Sequence, residues 1–360
     1  MASVNEDIAD LIRAHAISFE RFGADVRRRV LALLLLMETD LIRQVREIDP
    51  TEPLRSAYRK ARLDKLLEQT RASIREGYAA VNKEMAGDLA EVADIAAAST
   101  VGAVNSAVGV EIMTVALAPE KFRALVDGTM IQGAPSKEWW AKQAGDAAFR
   151  FKAAVQQGYA QGETVEQIVR RVKGTRAANY RDGVMEVTRR NAVSLVHTSV
   201  QAVSNAARRE VFDNNSDIIY GKIHISTMDS HTTPVCRAYS GKAFMLDGKP
   251  IGHSLPYNGG VPRHFRCRSV EVPLLKDIDD IPNGKARKVD GSTQASMDGQ
   301  VPSDLDFNDW LKTKPASFAK EILGEGKYQL WVNNNITMAD MIDQTGRELT
   351  LAELRAKLGL

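Results

Sequence analysis

Both cysteines of this 360-residue chain, Cys236 and Cys267, fall in one short region, within the runs DSHTTPVC (residues 229–236) and PRHFRC (residues 262–267). The same runs supply His231, His264 and Asp229. Thiolate, imidazole and carboxylate are the donors zinc takes, four at a time in a structural site and commonly two from each of two loops. Asp229, Cys236, His264 and Cys267 are therefore candidate ligands of a structural zinc. His231 stands in reserve should Asp229 turn to capping the amides that follow it. The residue types alone leave three other chemistries open: a Cys236–Cys267 disulfide, plain hydrogen-bonded packing of the two loops, and a Cys/His hydrolytic pair. The last lacks an evident oxyanion loop or a partner to orient its base.

Two loops meet only if the chain between them folds back, and the local pattern predicts that it does. IIYGKIHIST (residues 218–227) alternates and is β-branched, so it reads as a strand. GKAFMLDGKPIG (residues 241–252) reads as a hairpin turning at Asp247-Gly248, a pair that favours a type I′ turn. RSVEVPLL (residues 268–275) is the last short strand. In this reading His264-x-x-Cys267 is one turn that presents both side chains.

Helices surround this small β-rich module. Ile8, Leu11, Ile12, His15, Phe19 and Phe22 follow the three-and-four spacing of a one-sided stripe, DPTEP (residues 49–53) interrupts it, and a second helix follows, continuing after a break into the Ala-rich IAAASTVGAVNSAVGV (residues 95–110). Ser136 marks a helix start in QGAPSKEWW, and Thr164 with Gln167 forms a capping box. Residues 184–212 form a long amphipathic helix on which His197 is expected to be partly buried with a hydrogen-bond partner. Residues 276–302 have linker composition. Helices then resume, with Asp304 or Asp306 as a cap and Thr350 with Glu353 as a second capping box. The expected fold class is α+β, predominantly α-helical: a helical N-terminal interaction region (1–131), a helical and β-rich domain (132–275, with helices over 136–215 and the β-rich module over 218–275), a linker (276–302) and a helical tail (303–360). The tail's apolar residues, Phe307, Trp310, Leu311, Phe318, Ile322 and Leu323, are too many for a solitary helix, so it should pack on an earlier domain or a partner.

With 48 basic and 46 acidic residues the net charge is +2, so no global field favours nucleic acid. Any DNA contact would be local, in RRVKGTRAANYR, RREVF or RHFRCR. The N-terminal run lacks the basic start and apolar centre of a signal peptide, which points to a reducing compartment and against a resting disulfide. The longest apolar run, VLALLLLM, is far short of the roughly 20 residues that span a bilayer, and no membrane association is expected.

At the cysteine region the chain resembles the phage Mu protein F-like family of minor head proteins, also called head morphogenesis proteins. The resemblance rests on Asp229, Thr232, Pro234 and Cys236, then Gly241 and Phe244, then Pro262, His264, Cys267 and Arg268, in the family's order and spacing. It extends over roughly residues 136–360. Ser269 and His231 stand where the family often has a further cysteine. The resemblance implies a non-enzymatic virion component made in the host cytoplasm and residing in the head interior or at the portal vertex. It would be present in several copies, with the portal and the major capsid or scaffold proteins as partners and packaged DNA within reach. In that reading the N-terminal region, residues 1–118 above all, mediates assembly, and the β module folds without it. The rival readings are a metal-dependent nuclease using Asp229, His231 and His264, which lacks a second acidic cluster, and an ADP-ribosyltransferase, whose Glu-x-Glu pair is absent from the chain.

Overall fold

The architecture is that of a computed structural model, which describes residues 4–47, 57–114, 119–276, 293–297, 299–302, 305–334 and 336–360. It is an α+β fold dominated by helices. In chain order the elements are α1 (Val4–Arg46), α2 (Ala57–Val108), α3 (Pro119–Gly128), β1 (Met130–Ile131), β2 (Ala134–Pro135), α4 (Ser136–Ala160), α5 (Val165–Lys173), α6 (Val184–Asn214), β3 (Ile219–Ile225), α7 (Pro234–Tyr239), β4 (Lys242–Met245), β5 (Pro250–Ile251) and β6 (Val270–Leu275). After them come β7 (Thr293–Ser296), β8 (Gly299–Pro302), α8 (Phe307–Lys312), α9 (Ala316–Leu323), α10 (Glu325–Asn334), a 3-10 turn (Met338–Met341) and α11 (Leu351–Leu358). No helix among the described residues is long and apolar enough to cross a membrane.

Two compact units form from interleaved segments: Met1–Phe19, Val92–Phe122 and Gln201–Leu360 in one, Glu20–Glu91 and Arg123–Val200 in the other. In the second, buried Val26, Val30, Leu34, Met37 and Leu41 of α1 recur at helical spacing, as do Ile74, Tyr78, Val81, Met85 and Leu89 of α2. Gly77 lets the two helices close: a Cβ there would lie 2.8 Å from Met37 Sδ. Glu38 is buried in an ion pair with Arg189, and His197 meets Glu20 at 3.1 Å, the partner expected for it. The Thr164–Gln167 capping box forms as read. Ser136 begins its helix but makes no cap; its hydroxyl faces that of Ser199 at 3.4 Å.

The first unit holds the β module. Its sheet has the order β5-β4-β3-β6, antiparallel throughout. The β4–β5 connection is a three-residue loop and not the expected type I′ turn. Gly248 N–H donates to Met245 O, Met245 N–H donates to Lys249 O, and of the loop residues only Gly248 has positive φ, at +89°. That is a type I turn closed by a left-handed glycine. No break interrupts α2, which runs unbroken into the Ala-rich stretch, where Ala96, Ala97, Ala103, Val104 and Ala107 are buried. Small side chains there serve close packing. DPTEP lies outside the described residues. Part of the presumed linker is structured: β7 pairs with β8, and Met297 N–H donates to Met228 O.

The C-terminal helices share one core with the module. Phe307, Trp310, Leu311, Leu323, Trp331, Met341 and Leu354 pack with Met228, Ala238, Tyr239, Phe244 and Leu255. Asp306 caps α8 and Thr350 with Glu353 boxes α11, both as read; Asp304 lies outside the described residues.

Candidate metal centre

Each of the two loops is fixed before it presents a ligand. After β3, Asp229 Oδ1 accepts from His231 N–H at 3.0 Å and from the Thr232 hydroxyl at 3.1 Å, a local turn that ends the strand. Thr233 then stands at the N-cap of α7, Pro234 occupies its first turn, and Cys236 follows two residues later. In the second loop Cys267 N–H donates to His264 O at 3.2 Å, with Arg266 at φ +61°. The His-x-x-Cys spacing is thus one closed turn with both side chains on the same side.

These loops bring Cys236 Sγ to 3.2 Å from His264 Nε2 and 3.7 Å from Cys267 Sγ, with all three ligand atoms inside 4.8 Å of one another. Both cysteines are buried and free. His264 Nδ1–H donates to Phe265 O at 2.7 Å, which fixes the ring orientation and turns Nε2 to the sulfurs. The thiols share their proton unequally. The hydrogen bond from Cys236, then the one from His264, pull Cys267 well below the usual thiol range against the effect of burial, while the same Cys267 contact and burial push Cys236 well above it. Burial would lower His264, but the Cys267 thiolate outweighs it and raises the imidazole.

A tetrahedral ion with Zn–S near 2.3 Å and Zn–N near 2.0 Å sets S···S edges of about 3.8 Å and S···N edges of about 3.5 Å. The sulfur separation of 3.7 Å lies at that edge, far beyond the roughly 2.05 Å of a disulfide. The nitrogen, at 3.2 Å, is a few tenths inside its edge. The donor set and its spacing therefore fit a thiophilic, tetrahedral ion.

Asp229 is not part of this group. Arg268 holds both of its oxygens, at 2.6 and 2.7 Å. Burial pushes the Asp229 carboxyl up, yet the Arg268 guanidinium overrides it and keeps it below the usual range. The three ligand atoms of the group gather within 4.8 Å of one another without it. His231 is exposed and is not part of the group either. Among the described residues no other set of three such side chains is gathered closely enough to hold an ion.

Behind the centre lies a polar network that residue patterns did not single out. Glu271 of β6, 1% exposed, accepts from Arg209 at 3.1 Å, from the Tyr257 hydroxyl at 2.8 Å and from Val261 N–H at 3.3 Å, and its own N–H donates to Asn205 Oδ1. It ties α6 to the loop that carries His264. Gly260 makes this approach feasible, since a Cβ there would lie 2.3 Å from Glu271 Oε1. A second chain runs from Arg263 Nε to His224 Nδ1, from His224 Nε2 to the Ser226 hydroxyl, and from Ser226 to Cys236 O. The legible signals were a lone Glu inside the apolar RSVEVPLL and the paired arginines on the long helix.

A family model described as "Phage Mu protein F like protein" matches residues 150–272, from the second half of α4 into β6. Residues 150–272 are similar to the Mu protein F-like family. No curated protein and no solved structure matches it. The Mu F-like span contains Asp229, Arg268, Glu271 and all three members of the cysteine–histidine group, so the loop pair and its supporting network both belong to the family's segment. It is shorter than the likeness read over residues 136–360: the C-terminal helices, although they complete the module's core, lie outside it.

Proposed function

We propose that this Mu F-like chain is a minor structural protein of a tailed-phage head, acting in head morphogenesis through contacts with the portal and the capsid or scaffold proteins. The observation that carries the reading is the family match over residues 150–272, a family of structural phage head proteins. The β module is the rigid part, and its Cys236–His264–Cys267 group holds a structural zinc that staples the two loops. The buried thiols, the locked imidazole and the edge lengths support that choice of ion. A nuclease is disfavoured because Asp229, the carboxylate such a reading relies on, is held by Arg268.

A DNA-binding face is disfavoured at RREVF and RHFRCR, whose arginines are largely engaged inside the fold, while Arg170, Lys173, Arg176 and Arg181 of the first run are exposed. Arg171 pairs with Glu163, Arg208 is buried, Arg209 pairs with Glu271, Arg263 stacks 3.4 Å over Tyr239, and Arg268 holds Asp229. Mass spectrometry of purified, DNA-filled particles should find the chain at a few copies per particle. Its absence from particles of the phage that encodes it would overturn the assignment.

A further inference from the structure

A cavity of about 850 Å³ lies within one compact unit, between α2 and α4. The two helices run antiparallel there. Asn82 of α2 sits by Lys137 at the start of α4, Tyr78 contacts Trp140 at a ring distance of 6.2 Å, and the wall continues to Asp64 and Lys152. Residues 64–82 of α2 and 137–152 of α4 line it, about 27 and 22 Å at 1.5 Å per residue, the span of a helix of four to five turns.

Its floor is apolar, with Leu67, Tyr78, Trp140 and Ala144 buried, and its α4 wall turns Ala141, Gly145 and Phe149 to solvent. Phe149 is 73% exposed. Among the described residues nothing requires Gly145: a Cβ there would meet no atom within 4 Å, although a mid-helix glycine costs about 1 kcal/mol relative to alanine. A wall of small residues is what allows a third backbone to approach closely. Six charged residues line the groove, Arg71, Arg75, Lys137 and Lys152 against Asp64 and Glu68, and none has an ion pair among the described residues. The excess is cationic. An apolar floor does not suit the sugar-phosphate backbone, and the two carboxylates on the lip oppose it.

We propose that this groove docks an amphipathic helix of a second polypeptide, with an apolar seam on the floor and acidic residues along its flanks facing Arg71, Arg75, Lys137 and Lys152. The inference rests on the head-protein reading for its setting, since it makes α2 and α4 the assembly surface, but the groove is testable apart from that. In isolated full-length protein, a synthetic helical peptide with leucines at i, i+3, i+4 and i+7 and glutamates on both flanks should bind at least about ten-fold more tightly than its lysine-flanked counterpart. Gly145→Arg should abolish the binding while leaving the melting temperature unchanged or raised, because the position is open and helical. Equal affinity for the two peptides, no binding of either, or undiminished binding by Gly145→Arg would overturn the proposal. A photo-crosslinker placed at Phe149 in purified particles should then join the chain to an acidic helical segment of another head protein. Crosslinks confined to DNA or to a second copy of this chain would also overturn it. If the peptide behaves as expected but the chain is missing from particles, the head reading fails and the groove stands.

Discussion

Asp229 and Cys267 show how far residue types reach. Thiolate and imidazole chemistry, with a His-x-x-Cys turn, was legible because spacing alone puts those two groups together. The role of Asp229 was not, because an arginine one residue past Cys267 captures it from across the loop pair at 2.6 Å. The two positions should therefore separate in experiment. Purified protein should carry about one zinc per chain by elemental analysis. Cys236→Ser with Cys267→Ser should remove the metal and lower the melting temperature, as loss of a folding staple does. Asp229→Asn should keep the zinc while weakening the loop contact to Arg268; loss of the metal in that variant would restore Asp229 as a ligand.

His224 carries a pH prediction. It is fully buried, and burial first, then the nearby Arg263 charge, push its pKa from the usual 6.5 down to about 3. Arg263 Nε faces Nδ1, Ser226 faces Nε2, the Tyr239 ring lies 5.9 Å away, and the Cys267 and His264 charges act on it with opposite signs. The folded state keeps the ring neutral where the unfolded chain would protonate it. Its contribution to stability is therefore complete above about pH 6.5 and is lost as pH falls from there toward 3, by up to about 1.4 kcal/mol per unit. Chemical denaturation between pH 7 and pH 4 should show this loss, and His224→Gln should flatten it. An equally steep decline in that variant would place the sensitivity elsewhere.

At the scale of elements, the strands, the long α6 and two capping boxes were legible because each is written in contiguous residues. The hairpin turn was not, since Asp-Gly suits either a two-residue turn or the end of a three-residue loop, and the register with β5 decides between them. Glu271 was hidden for a related reason: its partners Arg209, Tyr257 and Val261 are scattered along the chain, and only the packing of α6 on β6 brings them to one carboxylate. Removing that carboxylate leaves half-buried Arg209, Tyr257 and Val261 N–H without their shared acceptor, so Glu271→Ala should cost about 3 kcal/mol by denaturant unfolding. A cost below about 1 kcal/mol would mean that the network does not hold α6 to the loop. Thr350→Ala, which removes one cap of α11, should cost only about 1 kcal/mol.

At the scale of the whole molecule, residues far apart in sequence share a core, and this alters one expectation. The tail packs on the module as its apolar stripe foretold, through Trp310, Leu311 and Trp331 against Tyr239 and Phe244. Deletion of residues 1–118 was expected to leave the β module intact, because the change of pattern after residue 131 read as a domain boundary. However, residues 4–19 and 92–114 belong to the same compact unit as the module. Asn5 Oδ1 accepts from Leu275 N–H at 2.8 Å at the end of β6, and the Phe19 ring lies 5.3 Å from the guanidinium of buried Arg208. The deletion would uncover that guanidinium, leave the β6 amide without its partner and strip Ile8, Ile12 and Phe19 from the unit's core. At roughly 1.5–3 kcal/mol for each large apolar side chain, the loss approaches the whole stability of an ordinary domain. The truncated chain should therefore show no cooperative thermal transition and no retained zinc, whereas a tail deletion from residue 305 should retain the helical α1–α2 signal. A truncated chain that melts cooperatively with metal bound would show that the module stands without its N-terminal helix.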